Sequence, residues 1–252
     1  MTATVERIAQ RFLEARRPGG PPVVPAPAEA LAEAADAYAV QGRVVGELGP
    51  VGAWKVGAAS PTAEPLRAPI LAATIHASPV TLPASSFHLL GIEAEIAYRL
   101  GADLPARARP YGPEEVAAAI ESMLAAIELV DTRLADHMTA PPLWKLADNQ
   151  INGALVTGPP VEDWRRFDPR TQPVRLEVDG SVVAEGRGGN SAGDPFRLLV
   201  WLANSCGSHC GGLRRGQIVT TGSLTGLRFV MPGARVRARL EGLGEVAVTF
   251  TH

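Results

Sequence analysis

Residues 91–100 have the sequence GIEAEIAYRL, and the fold of the chain is best inferred from this stretch. Apolar residues alternate with Glu93 and Glu95, and this period of two predicts a β-strand. Side chains on a strand point to opposite faces at successive positions, so the two carboxylates lie side by side on one face. Two carboxylates at that spacing repel unless a proton or cation lies between them, and hard divalent cations take such oxygen ligands. The alternative is that both glutamates are solvated on the wet face of a half-buried strand.

The composition is typical of one large globular domain, or of one domain with a small appendage. Of the 252 residues, 46% are hydrophobic and 20% are charged, which allows a sizeable core and argues against global disorder. The formal net charge of -2 argues against nucleic acid or an anionic membrane as a partner. No apolar run approaches transmembrane length and no signal-peptide pattern is visible, so we expect a cytoplasmic protein.

Two helices are predicted in an N-terminal helical part, which we delimit as residues 1–50. Helical spacing of apolar residues predicts an amphipathic helix over 4–17. A linker rich in proline and glycine follows over 18–27, and a second helix is predicted over 28–47. Most of the remaining chain, residues 51–252, has the pattern of short strands and turns. We therefore expect an α+β fold with a β-rich second part.

Local signals divide the β-rich part. The dipeptide Asp179-Gly180 between two runs of strand character predicts a two-residue hairpin. Proline and glutamate at positions 113 and 114 open a predicted helix that continues to about Met123, because apolar residues recur there with helical spacing. A strand is predicted to follow over 126–131. Residues 61–88 contain five prolines and no clear period, so we predict a long irregular segment, which in a compact domain is often a functional lid.

Two further charged residues lie in apolar strands. An unpaired carboxylate at Glu128 would be costly if buried. It pairs with an arginine such as Arg133, or it joins Glu93 and Glu95 as the third arm of a Mg²⁺ or Mn²⁺ site. Lys55 is either a buried lysine with a lowered pKa, which suits proton transfer, or a strand-end lysine that reaches water. The pattern alone favours the exposed lysine.

Two polar turns are candidate ligand contacts. The pair Asp148-Asn149 either orients a ligand or makes an Asx turn. Residues 222–226 offer backbone N–H groups and the hydroxyls of Ser223 and Thr225, which suit an anion such as a carboxylate, although a plain turn is equally consistent with this sequence.

Other chemistries are disfavoured. Cys206, His209 and Cys210 do not make a structural zinc site, because such a site normally needs four ligands and the chain has no second cysteine pair. We therefore interpret the two cysteines as buried thiols. No GxSxG or Ser-His-Asp pattern is present, which argues against an acyl-enzyme hydrolase.

The order of these motifs resembles the 2-keto-4-pentenoate hydratase branch of the fumarylacetoacetate hydrolase superfamily. The resemblance covers nearly the whole chain in order, which makes it more specific than any single motif. The motifs that carry it are WKVGAAS at 54–60, GIEAEIA at 91–97, AIELVDTR at 126–133, ADN at 147–149, DP at 194–195 and TGS at 221–223.

The resemblance implies a mixed, β-roll-like fold with an N-terminal helical part. It also implies Mg²⁺ or Mn²⁺ held by Glu93, Glu95 and Glu128, and a functional Lys55. Members of the family hydrate 2-hydroxy-2,4-dienoates, decarboxylate 4-oxalocrotonate-like acids or cleave acylpyruvates. We therefore expect a homo-oligomeric, metal-dependent hydratase of a small 2-oxo acid. The alternatives are a decarboxylase, a C–C hydrolase and a ligand-binding member without catalysis. The predicted substrate contacts are Asp148, Asn149, Ser223 and Thr225.

One segment departs from the family pattern. Hydratases of this branch usually carry an Asp-rich segment between the lysine and the metal-binding strand, whereas residues 61–90 contain no aspartate. Their only carboxylate is Glu64, and their only other bases are His76 and His88. We predict that this segment folds over the metal and that Glu64 or His76 acts as the acid/base.

Overall fold

The computed structural model of the chain describes residues 2–26 and 29–252. Its N-terminal part contains the two expected helices, α1 (Ala3–Ala15) and α2 (Ala34–Leu48). Helix α1 begins after Thr2, whose Oγ1 accepts the backbone N–H of Val5 at 3.3 Å and so caps the helix. Helix α2 begins later than predicted. Pro27 and Ala28, where the predicted linker and helix meet, lie outside the described residues.

The two N-terminal helices share a core with a short helix of the β-rich part, α4 (Pro142–Ala147). Phe12 of α1 packs against Trp144 of α4, with ring centroids 6.1 Å apart. Buried apolar residues from the three helices complete this core; among them are Ile8, Val40, Val44 and Leu146. Because the helices bury their apolar faces against α4, the division at residue 50 stays a prediction.

The larger of two sheets contains eight strands within the described residues. Their spatial order is β2 (Leu66–Leu71), β1 (Val51–Gly57), β10 (Ile218–Ser223), β5 (Gly91–Leu100), β6 (Ile120–Val130), β7 (Asn152–Thr157) and β3 (Ile75–Ala77), with β11 (Arg228–Phe229) paired to β5. The pairs β1–β10 and β3–β7 are parallel and the others are antiparallel. The predicted strand over 91–100 is therefore confirmed and lies in the middle of a mixed sheet.

The smaller sheet packs with the larger one. In spatial order its strands are β4 (Val80–Pro83), β13 (Gly244–Thr251), β12 (Arg235–Leu240), β8 (Pro173–Val178) and β9 (Ser181–Arg187). One core contains side chains from both sheets and from helix α5 (Pro195–Ser205). The predicted hairpin joins β8 and β9, and its turn residues Asp179 and Gly180 have the positive φ angles, 51° and 80°, that this turn requires. The α+β, mostly β architecture expected from the sequence is confirmed.

The predicted helix over 113–123 is wrong in its second half. Helix α3 spans only Pro113–Ala118, and Ile120 already pairs with Leu100 in the β5–β6 ladder. Strand β6 is buried on both faces along nearly its whole length, so its apolar run shows no alternation. Such a run cannot be distinguished from a buried helix by its period.

The prediction of a long irregular segment over 61–88 is also wrong. The segment contains β2, β3 and β4, which pair with β1, β7 and β13. Strands β2 and β4 lie at sheet edges, where proline is tolerated because one side of the strand has no partner. Within the described ranges, the chain has no helix with both the length and the apolar character needed to cross a bilayer.

Candidate metal centre

Three carboxylates meet on the larger sheet. Glu93 and Glu95 come from β5, and Glu128 of β6 lies directly opposite Glu93 in the antiparallel register. One carboxylate oxygen from each residue lies within 4.8 Å of the others. Glu95 and Glu128 are each 1% exposed and Glu93 is half-buried. The pattern of alternating glutamates thus produces a compact, buried group of oxygen donors.

The electrostatics of this group favour a cation. Burial first, and then repulsion from Glu128, raises the pKa of Glu93 to about 7. The same two causes raise the pKa of Glu95 well above its usual range. Glu128 Oε2 is buried without a hydrogen-bond partner, which is costly for a polar atom. A hard divalent ion would occupy this all-oxygen donor set and satisfy the unpartnered oxygen, so the residues present fit Mg²⁺ or a similar ion.

Lys55 lies at the edge of the carboxylate group. Its Nζ donates to Glu128 Oε1 at 2.5 Å and to the carbonyl oxygen of Gln150 at 3.1 Å, and its side chain is 14% exposed. Burial disfavours the charged amine, but attraction from Glu128, Glu93 and Glu95 outweighs burial and raises the pKa of Lys55. The expectation of an exposed lysine is therefore wrong, as is that of a lowered pKa. The amine is buried and cationic.

Hydrogen bonds from neighbouring strands orient the carboxylates. Thr220 Oγ1 and the backbone N–H of Gly222 both donate to Glu95 Oε2, the second at 2.9 Å. Asn152 Nδ2 donates to Glu128 Oε1 at 2.8 Å. Sequence reasoning missed these roles. The available signal was Gly222, whose φ of 87° lies where the β10–β5 register shifts, because a glycine inside a strand often marks such an irregularity.

The predicted anion-binding turn supports the protein's own strand. The Ser223 hydroxyl opposes the rise in the pKa of Glu93, and its Oγ accepts the backbone N–H of Thr225 at 3.2 Å. Thr225 Oγ1 accepts the N–H of Ala94, the residue between the two glutamates of β5, at 3.1 Å. The turn therefore fixes the backbone that carries the carboxylates. Substrate contacts by Ser223 and Thr225 stay predictions.

Asp148 is part of a buried ionic network, and its role as a substrate contact stays a prediction. Its Oδ1 accepts from Arg133 Nε at 2.6 Å, and its Oδ2 accepts from Thr132 Oγ1 at 2.8 Å and from the backbone N–H of Arg133 at 2.9 Å. The side chain has no solvent exposure. Arg133 is therefore paired with Asp148, and the alternative in which it neutralises Glu128 is wrong.

A left-handed turn lies beside the carboxylate group. Asn149, Gln150 and Ile151 have φ angles of 51°, 51° and 53°, which residues other than glycine rarely adopt. Asn149 Nδ2 donates to the Pro69 carbonyl oxygen at 2.9 Å, while its Oδ1 has no partner. This turn directs the Gln150 carbonyl oxygen at Lys55. Strained backbone of this kind clusters at functional sites.

The structure does not bring Glu64 or His76 to the carboxylates. Glu64 is exposed, and its Oε1 accepts from Trp201 Nε1 at 2.7 Å. His76 pairs with Val156, which pairs with Ile127, so the alternation of the strand places His76 on the face opposite to Glu128. The predicted acid/base role of these two residues is corrected on this ground.

A cavity of about 620 Å³ lies on the side of Asn152, and its lining includes neither the three carboxylates nor Lys55. Asn152, which donates to Glu128, forms part of its wall, and so does Asn149 of the left-handed turn. Of the titratable residues in 61–90, His88 is the one that lines this cavity. Its Nδ1 lies 3.6 Å from Asp131 Oδ2, and its backbone N–H donates to Asp131 Oδ1 at 2.9 Å. The bases of the segment were visible in the sequence, but only the folded chain distinguishes His88 from His76.

Comparison with known proteins shows the family to which the chain is similar. Residues 42–251 match the family model described as fumarylacetoacetate (FAA) hydrolase C-terminal. The 2-keto-4-pentenoate hydratase of Paraburkholderia xenovorans is 30% identical over 176 residues, which cover 68% of this chain and 62% of that protein. A 4-oxalocrotonate decarboxylase of Pseudomonas putida is 30% identical over 159 residues, covering 63% and 59% of the two chains. The matched region thus spans about three-fifths of the length of these relatives.

The similarity extends to solved structures. The 4-oxalocrotonate decarboxylase from Pseudomonas putida G7, complexed with magnesium and adipate, superimposes with a TM-score of 0.85 at 24% identity over 98% of this chain and 97% of that one. The same enzyme complexed with calcium and acetate gives 0.84 at 25% identity, over 99% and 98%. The resemblance inferred from the motifs is confirmed, and the chain belongs to the fumarylacetoacetate hydrolase family.

Proposed function

We propose that this protein is a metal-dependent lyase that hydrates a small 2-hydroxy-2,4-dienoic acid. One observation carries the proposal, namely the buried group of three carboxylates with one ammonium beside it. With the carboxylates ionised, the group has two more negative than positive charges, which a divalent cation would neutralise. The hydratase names of relatives at about 30% identity support the choice of reaction.

Glu93, Glu95 and Glu128 would hold Mg²⁺ or Mn²⁺. When bound, such an ion acts as a Lewis acid that polarises a 2-oxo acid and stabilises negative charge on its oxygens. Thr220 and Asn152 keep the carboxylate oxygens oriented, as outer hydrogen bonds commonly do at metal sites.

Lys55 is the cationic proton donor beside the carboxylate group. Its Nζ is held between Glu128 and the Gln150 carbonyl oxygen, so its position is fixed before a substrate arrives. In the proposed reaction the 2-hydroxyl of the dienol loses its proton, C5 gains one, and Lys55 Nζ donates a hydrogen bond to the 2-oxo oxygen that forms. Water then adds across the remaining conjugated double bond.

His88 is our candidate for the residue that handles the added water, in place of Glu64 and His76. It lines the same cavity as Asn152, which donates to Glu128, and Asp131 holds its loop through two backbone N–H groups, those of His88 and Leu89. A neutral imidazole can accept a proton from water at one nitrogen and return it later. Substitution His88→Ala should lower the rate of hydration about 10²-fold or more. The matched control is His76→Ala on the opposite face, and equal rates in the two variants would remove His88 from the mechanism.

Turnover of 2-hydroxypenta-2,4-dienoate with Mg²⁺ tests the reaction class. Loss of ultraviolet absorbance with a product that retains every carbon is the expected result. Release of CO₂ from a diacid analogue, without hydration, would identify a decarboxylase. That second candidate is supported by the named decarboxylase among the relatives. Binding of these acids without turnover would instead make the protein a ligand-binding member of the family.

The remaining expectations stay proposals of the same kind. We infer a small 2-oxo acid as the partner of the site, a cytoplasmic location and a homo-oligomeric state. Sedimentation and cell fractionation would test the last two.

A further inference from the structure

Strand β10 departs from regular geometry at the point where it reaches the carboxylate group. Two of its residues, Thr221 and Gly222, together oppose the single residue Ile96 of β5, which is the two-against-one count of a β-bulge. Gly222 has a φ of 87°, in the left-handed region that favours glycine. The backbone N–H of Gly222 donates to Glu95 Oε2 at 2.9 Å. The orientation of this carboxylate therefore depends on the shape of the bulge.

The side-chain amide of Asn190, in the loop that follows β9, is bonded to this bulge. Its Nδ2 donates to the carbonyl oxygens of Thr221 and Gly222 at 2.7 and 3.0 Å. Its Oδ1 accepts the backbone N–H of Ala192 at 2.9 Å. These three bonds fix the orientation of the amide, because a flipped amide would turn its oxygen toward the two carbonyl oxygens. Asn190 thus holds two successive carbonyl groups that a regular strand would point to opposite sides.

Two glycines let the loop approach the bulge closely. A Cβ atom at Gly222 would lie 3.3 Å from Asn190 Nδ2, which is tighter than an ordinary contact. A Cβ atom at Gly189 would lie 2.7 Å from the carbonyl oxygen of Leu224, in the turn that follows β10. Because a side chain at either position would push the two segments apart, the sequence of both segments is suited to this contact.

The next residue of the loop makes a comparable bond away from the bulge. Ser191 Oγ donates to the carbonyl oxygen of Ala58 at 2.6 Å, in the segment that follows β1. Ser191 therefore attaches the loop to the rest of the chain, as Asn190 does, but without contacting β10. If Asn190 only anchored the loop, removing either side chain would have similar consequences for the carboxylate group.

We propose that Asn190 is a positioning residue of the metal centre, which holds the β10 bulge so that the N–H of Gly222 stays directed at Glu95. The proposal rests on the proposed function for the presence of a divalent cation at the carboxylates. Asn190 touches neither the carboxylates nor the substrate in this role, because it acts through the backbone of Gly222. Losing an outer hydrogen-bond partner of this kind typically lowers metal affinity about 10–100-fold.

The first experiment measures Mn²⁺ affinity by calorimetry in the unmodified protein and its variants. Asn190→Asp keeps the size of the side chain but places an acceptor against two carbonyl oxygens, and Asn190→Ala removes the donors without adding this repulsion. We expect both changes to lower Mn²⁺ affinity about tenfold or more. The matched control, Ser191→Ala, should leave the affinity unchanged. Thermal unfolding checks that each variant is folded. Unchanged affinity in the folded Asn190 variants, or an equal loss in Ser191→Ala, overturns the proposal.

The second experiment measures amide hydrogen exchange at Gly222 by NMR in the metal-free protein. Exchange should be about tenfold faster in Asn190→Ala, the effect of losing roughly one hydrogen bond, and unchanged in Ser191→Ala. Equal exchange at Gly222 in Asn190→Ala and the unmodified protein overturns the proposal.

The two experiments separate failure of this inference from failure of the proposed function. Mn²⁺ binding that Asn190→Asp weakens, without turnover of the dienoic acid, would reject the lyase and retain the positioning role. Turnover with Mn²⁺ affinity that no Asn190 variant changes would retain the lyase and reject the positioning role. An unmodified protein that does not bind Mn²⁺ would reject both the metal centre and the role of Asn190 in it.

Discussion

Two neighbouring buried clusters of charge in this protein are unbalanced in opposite directions. Around Glu128 three carboxylates accompany one ammonium, whereas around Asp148 two guanidinium groups share one carboxylate. Arg133 and Asp148 are saturated with hydrogen bonds from the chain, but Glu128 Oε2 has none. The difference teaches that a buried charged group whose hydrogen-bond partners all come from its own chain stabilises the fold. A buried charged group that lacks such partners indicates a ligand site. The first cluster calls for a cation, whereas Arg133 and Asp148 complete each other within the fold.

The largest expected effect comes from removing one arm of the carboxylate group. Substitution Glu128→Gln should lower Mn²⁺ affinity by more than about 100-fold, beyond the effect usual for an outer hydrogen-bond partner. Calorimetry measures the affinity, and circular dichroism should remain native. The control is Glu64→Gln, because Glu64 is an exposed carboxylate bonded to Trp201. If both variants bind Mn²⁺ like the unmodified protein, the assigned metal site is wrong.

The next largest expected effect is the loss of stability when Asp148 is removed from the arginine cluster. Substitution Asp148→Asn leaves two buried guanidinium groups without a counter-ion and should lower the free energy of unfolding by about 3–5 kcal/mol. Urea denaturation measures this loss. Asp168→Asn, which removes an exposed partner of Arg170, should have little effect. Equal losses in the two variants would contradict the structural role of Asp148.

The ammonium of the first cluster is expected to affect rate more than binding. Lys55→Ala should lower turnover about 10²–10⁴-fold, the usual contribution of a positioned proton-transfer group. Metal affinity should stay within a few-fold, because all three carboxylates remain. Lys145→Ala changes the other lysine of the chain and serves as the control. Normal turnover in Lys55→Ala would make this residue structural.

The smallest expected effect is the pH dependence of the carboxylate group. The raised pKa of Glu93, about 7 against 4.5, means that the folded protein binds this proton more tightly than the unfolded chain does. The contribution of Glu93 to the free energy of unfolding is greatest below pH 4.5 and is lost as pH rises through about 7. Saturating Mg²⁺ should remove this loss.

Metal affinity should fall in turn below pH 7, by about tenfold per pH unit for each proton displaced. Thermal unfolding at pH 5 to 8, with and without Mg²⁺, checks both effects. The control is Glu93→Gln, which lacks this titrating group. If the metal-free protein and Glu93→Gln gain the same stability between pH 5 and 7, the raised pKa assigned to Glu93 is wrong.

The parts predicted correctly from sequence are those set by local pattern. Helix α1, strand β5 and the hairpin at Asp179-Gly180 each have a clear period or turn signal. The start of β6 and the strands within residues 61–88 were mispredicted because partners distant in sequence determine them. An edge strand containing Pro69 has no local signature that separates it from a loop.

The sequence by itself determined that Glu93 and Glu95 share a face, because strand geometry fixes this relation between residues two apart. Together with the order of motifs, it also named Glu128 and Lys55 as candidates for the same site, and the structure places both beside Glu93 and Glu95. Only the tertiary structure decided that Asp148 neutralises arginines, that His88 rather than His76 lines the cavity, and that Arg16 shares the counter-ion of Arg133. Burial and pairing between distant segments set these properties, and no local pattern encodes them.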